Sequence, residues 1–288
     1  MNTTNIKINL GTFIGEILGG ELNNVNIPNV INEQSDKSAI YTKNNNKKMI
    51  NNNFNLVNNN FNIVNNVEKK LNKYKDKINL IYLTDEINTY PIFGDSFVKN
   101  NENNIELIIN GKQNKLISKC ELKKRENHIT LLIQNKLTNL NNMFRGSNNL
   151  KDIKELKYLY VNEVKNFSYM FSDCSSLSDI KPLQSWNVSN GNDFSCMFLF
   201  CSALSDIKPL QSWNVSNGND FSCMFYGCKS LSDIKPLQNW NVSNCKDFHG
   251  MFFFCLPLSD IKPLQNWNVS NGEDFNCMFR FYDSLSDI

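Results

Sequence analysis

FSCMFLFCSALSDIKPLQSWNVSNGND, residues 194–220, is one copy of a unit that recurs through the second half of the chain. Trp186, Trp213, Trp240 and Trp267 follow one another at intervals of 27 residues. Met143, Met170, Met197, Met224, Met251 and Met278 keep the same interval, each with phenylalanine after it. Leu150, Leu177, Leu204, Leu231, Leu258 and Leu285 do so too, each with isoleucine three residues later. A fixed period of this length marks a repeat architecture, whose single unit has too little interior to bury its own apolar side chains.

Within the quoted copy, Phe194, Met197, Phe198, Cys201 and Leu204 have spacings that predict one or two helical turns with one face inward. Leu204 to Leu210 predicts a short extended strand, ended by Pro209, which has no N–H for a ladder. Asn214 to Asn219 predicts a turn or a second extended piece, and Asp220 stands where a helix N-cap would precede Phe221. Stacked copies would share one apolar interior, with the Trp, Phe and Met side chains supplying most of the buried area.

Met224-Phe225-Tyr226-Gly227-Cys228-Lys229-Ser230-Leu231-Ser232-Asp233-Ile234 resembles the repeat of the BspA-type leucine-rich repeat family. The turn Trp240-Asn241-Val242-Ser243-Asn244 is similar to that family's 27-residue subclass. Ile92 to Asn101 is similar to the segment preceding such repeats in some protist members. The resemblance covers residues 92 to 288 and is strong from 164 onward. It implies a curved parallel solenoid with a binding or surface-adhesive role, in a family whose members are often secreted or membrane-anchored. The expected fold is therefore an α/β repeat, a leucine-rich-type parallel solenoid over 137–288, with a small β-rich N-terminal domain over 78–136.

Ahead of these, residues 1–77 form an Asn-rich low-complexity region, with the segment 51–57 recurring at once as 58–64. That composition predicts a largely disordered or weakly ordered segment. Lysines from Lys69 to Lys77 alternate with Leu71, Tyr74 and Ile78 and predict a short amphipathic helix. Between 78 and 136, Ile78 to Leu83 and His128 to Ile133 read as strands. Ile105 to Ile109, Asn110-Gly111 and Lys115 to Ile117 read as a hairpin, and Asp95 or Ser96 as a helix N-cap.

The net charge of +2 gives no reason to expect nucleic acid or an anionic membrane as partner. Leu10 to Leu18, interrupted by Glu16, is too short to cross a bilayer, which takes ~20 apolar residues. With no signal peptide to be read, the expected location is cytoplasmic by default, with the cell surface as the alternative. The chain stops part-way through a copy at Ile288, which predicts a truncated array or end-to-end self-association through an uncapped coil.

Seven of the nine cysteines fall in two columns, Cys174, Cys201, Cys228, Cys255 and Cys196, Cys223, Cys277. Gly250 and Tyr282 interrupt the columns and few histidines are at hand, so buried free thiols are expected rather than zinc or disulfides. Asn187, Asn214, Asn241 and Asn268 open N-glycosylation sequons, and the same asparagines would serve a turn backbone at every coil. No nucleophile elbow, phosphate loop or metal-binding helix is present, so the chain reads as non-enzymatic and without a cofactor. Asp179/Lys181, Asp206/Lys208, Asp233/Lys235 and Asp260/Lys262 each flank an inward isoleucine and form the candidate partner surface. The expected function is a protein-binding scaffold for an unidentified protein, with an adhesin-like surface protein as the alternative.

Overall fold

The computed structural model describes residues 73–279. The chain divides into the units Met1–Tyr74 and Lys75–Ile288. The expectations for the Asn-rich region and for the chain end lie outside the described residues. Of the amphipathic helix expected over 69–77, residues 73–75 carry no helix, and Asp76 and Lys77 open a strand instead.

The second unit begins with a five-stranded antiparallel sheet. Its strands are β1 (Asp76–Thr84), β3 (Ile105–Ile109), β4 (Lys112–Lys115), β6 (Arg125–Ile133) and β7 (Leu150–Asp152), in the order β4-β3-β6-β1-β7. Ile78, Leu80 and Tyr82 alternate inward along β1, opposite Leu131, Ile129 and Asn127 of β6. The hairpin turn is as the sequence predicts: Asn110 and Gly111 have φ of 47° and 84°. Its second strand, however, ends at Lys115, before Leu116. A second, two-stranded sheet pairs β2 (Asn88–Pro91) with β5 (Lys119–Leu122).

The α-helix α1 (Asp95–Asn101) starts from Gly94, and neither Asp95 nor Ser96 caps it. Gly94 donates its N–H to the carbonyl of Asn142 at 3.1 Å, and a Cβ there would lie 2.3 Å from that oxygen. Only glycine lets the helix start sit this close to the first coil. Tyr82 Oη and Ser147 Oγ both donate to the carbonyl of Ile92, at 2.7 and 2.9 Å, tying sheet, helix start and first coil together.

From Asn139 onward the chain winds into coils that are joined by single parallel bridges, Asn139↔Asn166↔Asp193↔Asp220↔Asp247↔Asp274. The expected α/β repeat, a leucine-rich-type parallel solenoid, is here corrected. The sheets are antiparallel, and among the described residues the one α-helix lies outside the repeats. The repeats themselves hold turns, short 3-10 helices such as Lys208–Ser212, and isolated bridges.

Backbone dihedrals give the reason. From Asn142 to Phe254 each coil carries two left-handed residues four apart, as at Tyr169/Asp173, Cys196/Phe200 and Cys223/Gly227. They break a helix and turn alternate amides outward along the stack. Phe194, Cys196, Phe198 and Phe200 donate to the carbonyls of Asp220, Ser222, Met224 and Tyr226 in the next coil, at 2.7–2.9 Å. The amides of Met197, Leu199 and Cys201 donate three residues back, and that of Ser195 donates to Asp193 Oδ1. Pro209, expected to end a strand, instead sits in the first turn of the 3-10 helix, where a missing N–H is tolerated. Asp220 caps a turn: its Oδ1 accepts the Ser222 amide at 2.8 Å.

Side chains bond in the opposite direction. Trp213 Nε1 donates to the carbonyl of Leu183 at 3.0 Å, and Trp186, Trp240 and Trp267 repeat this on Leu156, Leu210 and Leu237. Cys201 Sγ lies 3.1 Å from the carbonyl of Phe171. Asn217 Nδ2 donates to Ser189 O at 2.7 Å. Two phenylalanine files run through the core. Phe144, Phe171, Phe198, Phe225, Phe252 and Phe279 stack at 5.4–5.8 Å between centroids, and Phe93 beside α1 begins that file at 5.7 Å from Phe144. The four tryptophans are all buried.

Candidate functional site

The charged pairs named from sequence are all exposed and recur once per coil. They sit at the entry to each 3-10 turn. Asp206 Oδ1 accepts the backbone N–H of Lys208 at 2.9 Å, and Asp179, Asp233 and Asp260 do the same for Lys181, Lys235 and Lys262. One carboxylate oxygen per coil is thus committed to the chain's own turn. Among the described residues none of these four pairs forms an ion pair. The equivalent first-coil pair does, with Lys154 Nζ 2.8 Å from Asp152 Oδ2. That bond holds the Lys154 ammonium above its ordinary pKa. A shallow cleft opens there between sheet and stack, lined by Leu83, Glu126, Lys151, Asp152, Lys154 and Asp179 among others.

The sequon asparagines play the turn role as well. Asn187, Asn214, Asn241 and Asn268 are exposed, and each Oδ1 accepts the amide of the serine two residues on, at 3.1–3.2 Å.

A second surface was not legible as a site from the repeat pattern. Just after the buried Met-Phe pair, the chain presents Phe200 in one coil, Tyr226 in the next, and Phe253 and Phe254 in the third. Phe200 meets Tyr226 edge-on at 5.2 Å, and Tyr226 stacks on Phe253 at 4.6 Å. Phe254 stands perpendicular to Phe253 at 4.5 Å. Phe200 is 43% exposed. Gly227 makes room for it: φ is 72°, and a Cβ there would lie 2.5 Å from the Phe200 ring. So aromatic side chains from three successive coils form one continuous ridge at the surface, with Tyr226, Phe253 and Phe254 half-buried and Phe200 exposed at its end.

The signal that finds this ridge is difference, not repetition. Residues 178–198 and 205–225 are identical, surface positions included. The six residues that follow each copy read LFCSAL at 199–204, YGCKSL at 226–231 and FFCLPL at 253–258. Cysteine and the final leucine are kept for the core, while the outward positions change in every coil.

The two cysteine columns have different surroundings. Cys174, Cys201, Cys228 and Cys255 are buried, with each Sγ 3.0–3.2 Å from a carbonyl of the preceding coil. Burial pushes the Cys174, Cys201 and Cys228 thiols far up in pKa. The edge column runs Asn142, Tyr169, Cys196, Cys223, Gly250, Cys277. Cys196 lies between the Cys223 thiol and the Tyr169 hydroxyl, and polar contact with Cys223 first, then with Tyr169, draws its pKa below the ordinary value. Tyr169 is pushed up to about 12 by the same contact. No cluster of three or more His, Cys, Asp or Glu suited to a metal ion occurs among the described residues.

No helix among the described residues is long and apolar enough to cross a membrane. Residues 114–234 and 202–287 match the model of a family described as "Mycoplasma protein of unknown function, DUF285". No curated protein and no solved structure matches the chain.

Proposed function

The chain belongs to the DUF285 family of Mycoplasma proteins of unknown function, and from that premise we propose that it is a non-catalytic protein-binding scaffold. The ridge of Phe200, Tyr226, Phe253 and Phe254 is its anchoring surface, and the Asp/Lys pairs from Asp179/Lys181 to Asp260/Lys262 are charged elements outside that anchor. The BspA-type leucine-rich repeat resemblance belongs to the same proposal, as a likeness of repeat chemistry and of a binding role.

One observation carries the reading: aromatic side chains at the surface, Phe200 exposed and Tyr226, Phe253 and Phe254 half-buried, occupy positions at which successive coils differ. Large aromatic side chains supply much of the energy of protein interfaces, because each buries a wide area at little entropic cost. The charged pairs are weaker anchors. Exposed ion pairs contribute ~0–1 kcal/mol, and here one oxygen of each carboxylate already serves a turn. Inside the cell is the setting the proposal takes. Thiols that donate to carbonyls in the buried column must stay reduced, which fits that setting.

A displayed random-peptide library selected on the full chain tests the reading. Peptides recovered on the wild type should lose binding at least about tenfold on Phe200→Ser and Tyr226→Ser, as anchor positions do. They should bind Lys181→Glu and Lys208→Glu within about twofold of wild type. Recovery of peptides indifferent to the ridge and lost on the charge reversals would overturn it.

A further inference from the structure

We propose that Cys196 and Cys223 are a reversible oxidation site, closing to a disulfide that staples two successive coils when the chain meets a hydroperoxide. The inference stands apart from the binding role.

The repeat register supplies the geometry. Cys196, Cys223 and Gly250 occupy the same place in three consecutive coils, with φ of 55°, 53° and 57°. A Cβ built at Gly250 would lie 3.3 Å from Cys223 Sγ. The sulfur of one coil therefore already points at the Cβ position of the next. In a disulfide that distance is ~3 Å, given an S–S bond of about 2.04 Å. Cys196 precedes Cys223 by the same one-coil step, and each thiol is the other's first polar neighbour. The backbone agrees: the Cys196 amide bonds to Ser222 O, next to Cys223, at 2.8 Å.

The neighbouring cysteines of the two columns are placed differently. Consecutive thiols of the buried column are also one coil apart, but each is spent on a backbone carbonyl and sealed from solvent. Cys277 is two coils from Cys223, with Gly250 between, at a separation of ~10 Å if strands lie ~5 Å apart. That is beyond the reach of a disulfide. Cys223 is partly exposed and Cys196 beside it is buried, so a small oxidant reaches Cys196 from the Cys223 side. Cys196 is the better nucleophile of the two, since its thiolate is held by polar neighbours, whereas Cys223 is pushed up by the same contact.

The chemistry balances with the hydroperoxide as two-electron oxidant. The Cys196 thiolate attacks the peroxide oxygen, an S–O bond forms as the O–O bond breaks, and the departing alkoxide or hydroxide takes up a proton. The product is a sulfenic acid on Cys196. The Cys223 sulfur then attacks the Cys196 sulfur, forming S–S and breaking S–O, and the hydroxyl leaves with the Cys223 proton as water. A thiol reductant returns both cysteines to thiols by exchange and is itself oxidised to a disulfide.

The test is peptide mapping of the full chain after reduction, exposure to hydrogen peroxide and alkylation of remaining thiols. Digestion at aspartate separates the two cysteines, since Asp206 and Asp220 lie between them. The expected product is a 196–223 linked pair, lighter by two hydrogens, formed within one molecule and lost on treatment with dithiothreitol. Cys223→Ser should stop the reaction at a sulfenic acid on Cys196, captured by dimedone. Recovery of both cysteines in alkylated form while other thiols oxidise would overturn the proposal, as would linkage only between molecules. Mapping the wild type decides the matter even where the serine variant fails to fold.

Discussion

The sheet and the coil stack of this chain solve one problem, the pairing of buried backbone groups, in different ways. In the sheet, β1 pairs with β6 over the whole of Asp76–Thr84, and main chain satisfies main chain along two neighbouring strands. Side chains there only have to alternate inward and outward. In the stack no strand is long enough to do this. Each coil passes four amides from Phe194 to Phe200 forward to the next coil, and returns an indole N–H, a thiol and an asparagine amide backward. Side chains are thus part of the backbone ladder, and their identity is fixed by what they donate as well as by their size. The sheet should tolerate exchange of one apolar residue for another of like volume, and the stack should not.

The largest expected effect comes at a tryptophan. Trp213→Ala empties a buried site and orphans the Leu183 carbonyl, for a loss of about 4 kcal/mol or more. Trp213→Phe keeps most of the apolar volume and deletes only the donor, for a loss of about 1–3 kcal/mol. In the sheet, the volume-conserving Leu131→Met should lose under about 1.5 kcal/mol. Denaturant titration of the three variants measures the contrast. Equal losses for Trp213→Phe and Leu131→Met would erase the distinction between the regions.

Asp206→Ala is smaller. It removes the acceptor for the Lys208 amide at an exposed turn, and about 1 kcal/mol should go. Asp206→Asn keeps the oxygen and should recover most of it. If the alanine variant is as stable as wild type, the carboxylates serve the outer surface and not the turn.

The smallest effect is one of pH. Burial first, then the neighbouring Asp193 and Asp247, holds the Asp220 carboxyl above its ordinary pKa, against hydrogen bonds from Ser222 that lower it. The folded chain therefore binds this proton more tightly than the unfolded chain. Its contribution to stability is present below the ordinary value of 3.8 and is lost as pH rises through the raised one. Asp220→Asn keeps the acceptor for Ser222 and removes the charge. Its stability should gain on wild type as pH climbs through that window, and a gap that narrows instead would reverse the sign assigned here.

Much of this comparison was open to a reader of the sequence. The 27-residue interval of Trp186, Trp213, Trp240 and Trp267 announces the stacking. Asn110-Gly111 announces the hairpin. What stayed hidden is the local conformation of the coil. Cys196 and Phe200 carry no mark of left-handed backbone, and their spacing reads as helix. The hint lies across copies: the same two columns elsewhere hold Asn142, Gly250, Gly146, Asp173 and Gly227, residues that accept positive φ. The roles of the tryptophan and cysteine protons were hidden too, because their acceptors lie 30 residues back, outside any local window. The aromatic ridge was obscured by the strength of the repeat itself. Attention to conserved columns passes over the outward positions at 199, 200, 226, 253 and 254, where successive coils depart from one another.

The central claim is that each tryptophan-bearing coil hangs from the one before it through an indole proton. Hydrogen exchange at the Nε1 protons of Trp186, Trp213, Trp240 and Trp267, followed by NMR in deuterated buffer, tests it directly. The account predicts slow exchange at Trp186, Trp213 and Trp240, governed by the same opening that frees the backbone amides of Cys196 and Phe198. Exchange of those three indole protons at the rate of a free indole, while the amides stay protected, would contradict it.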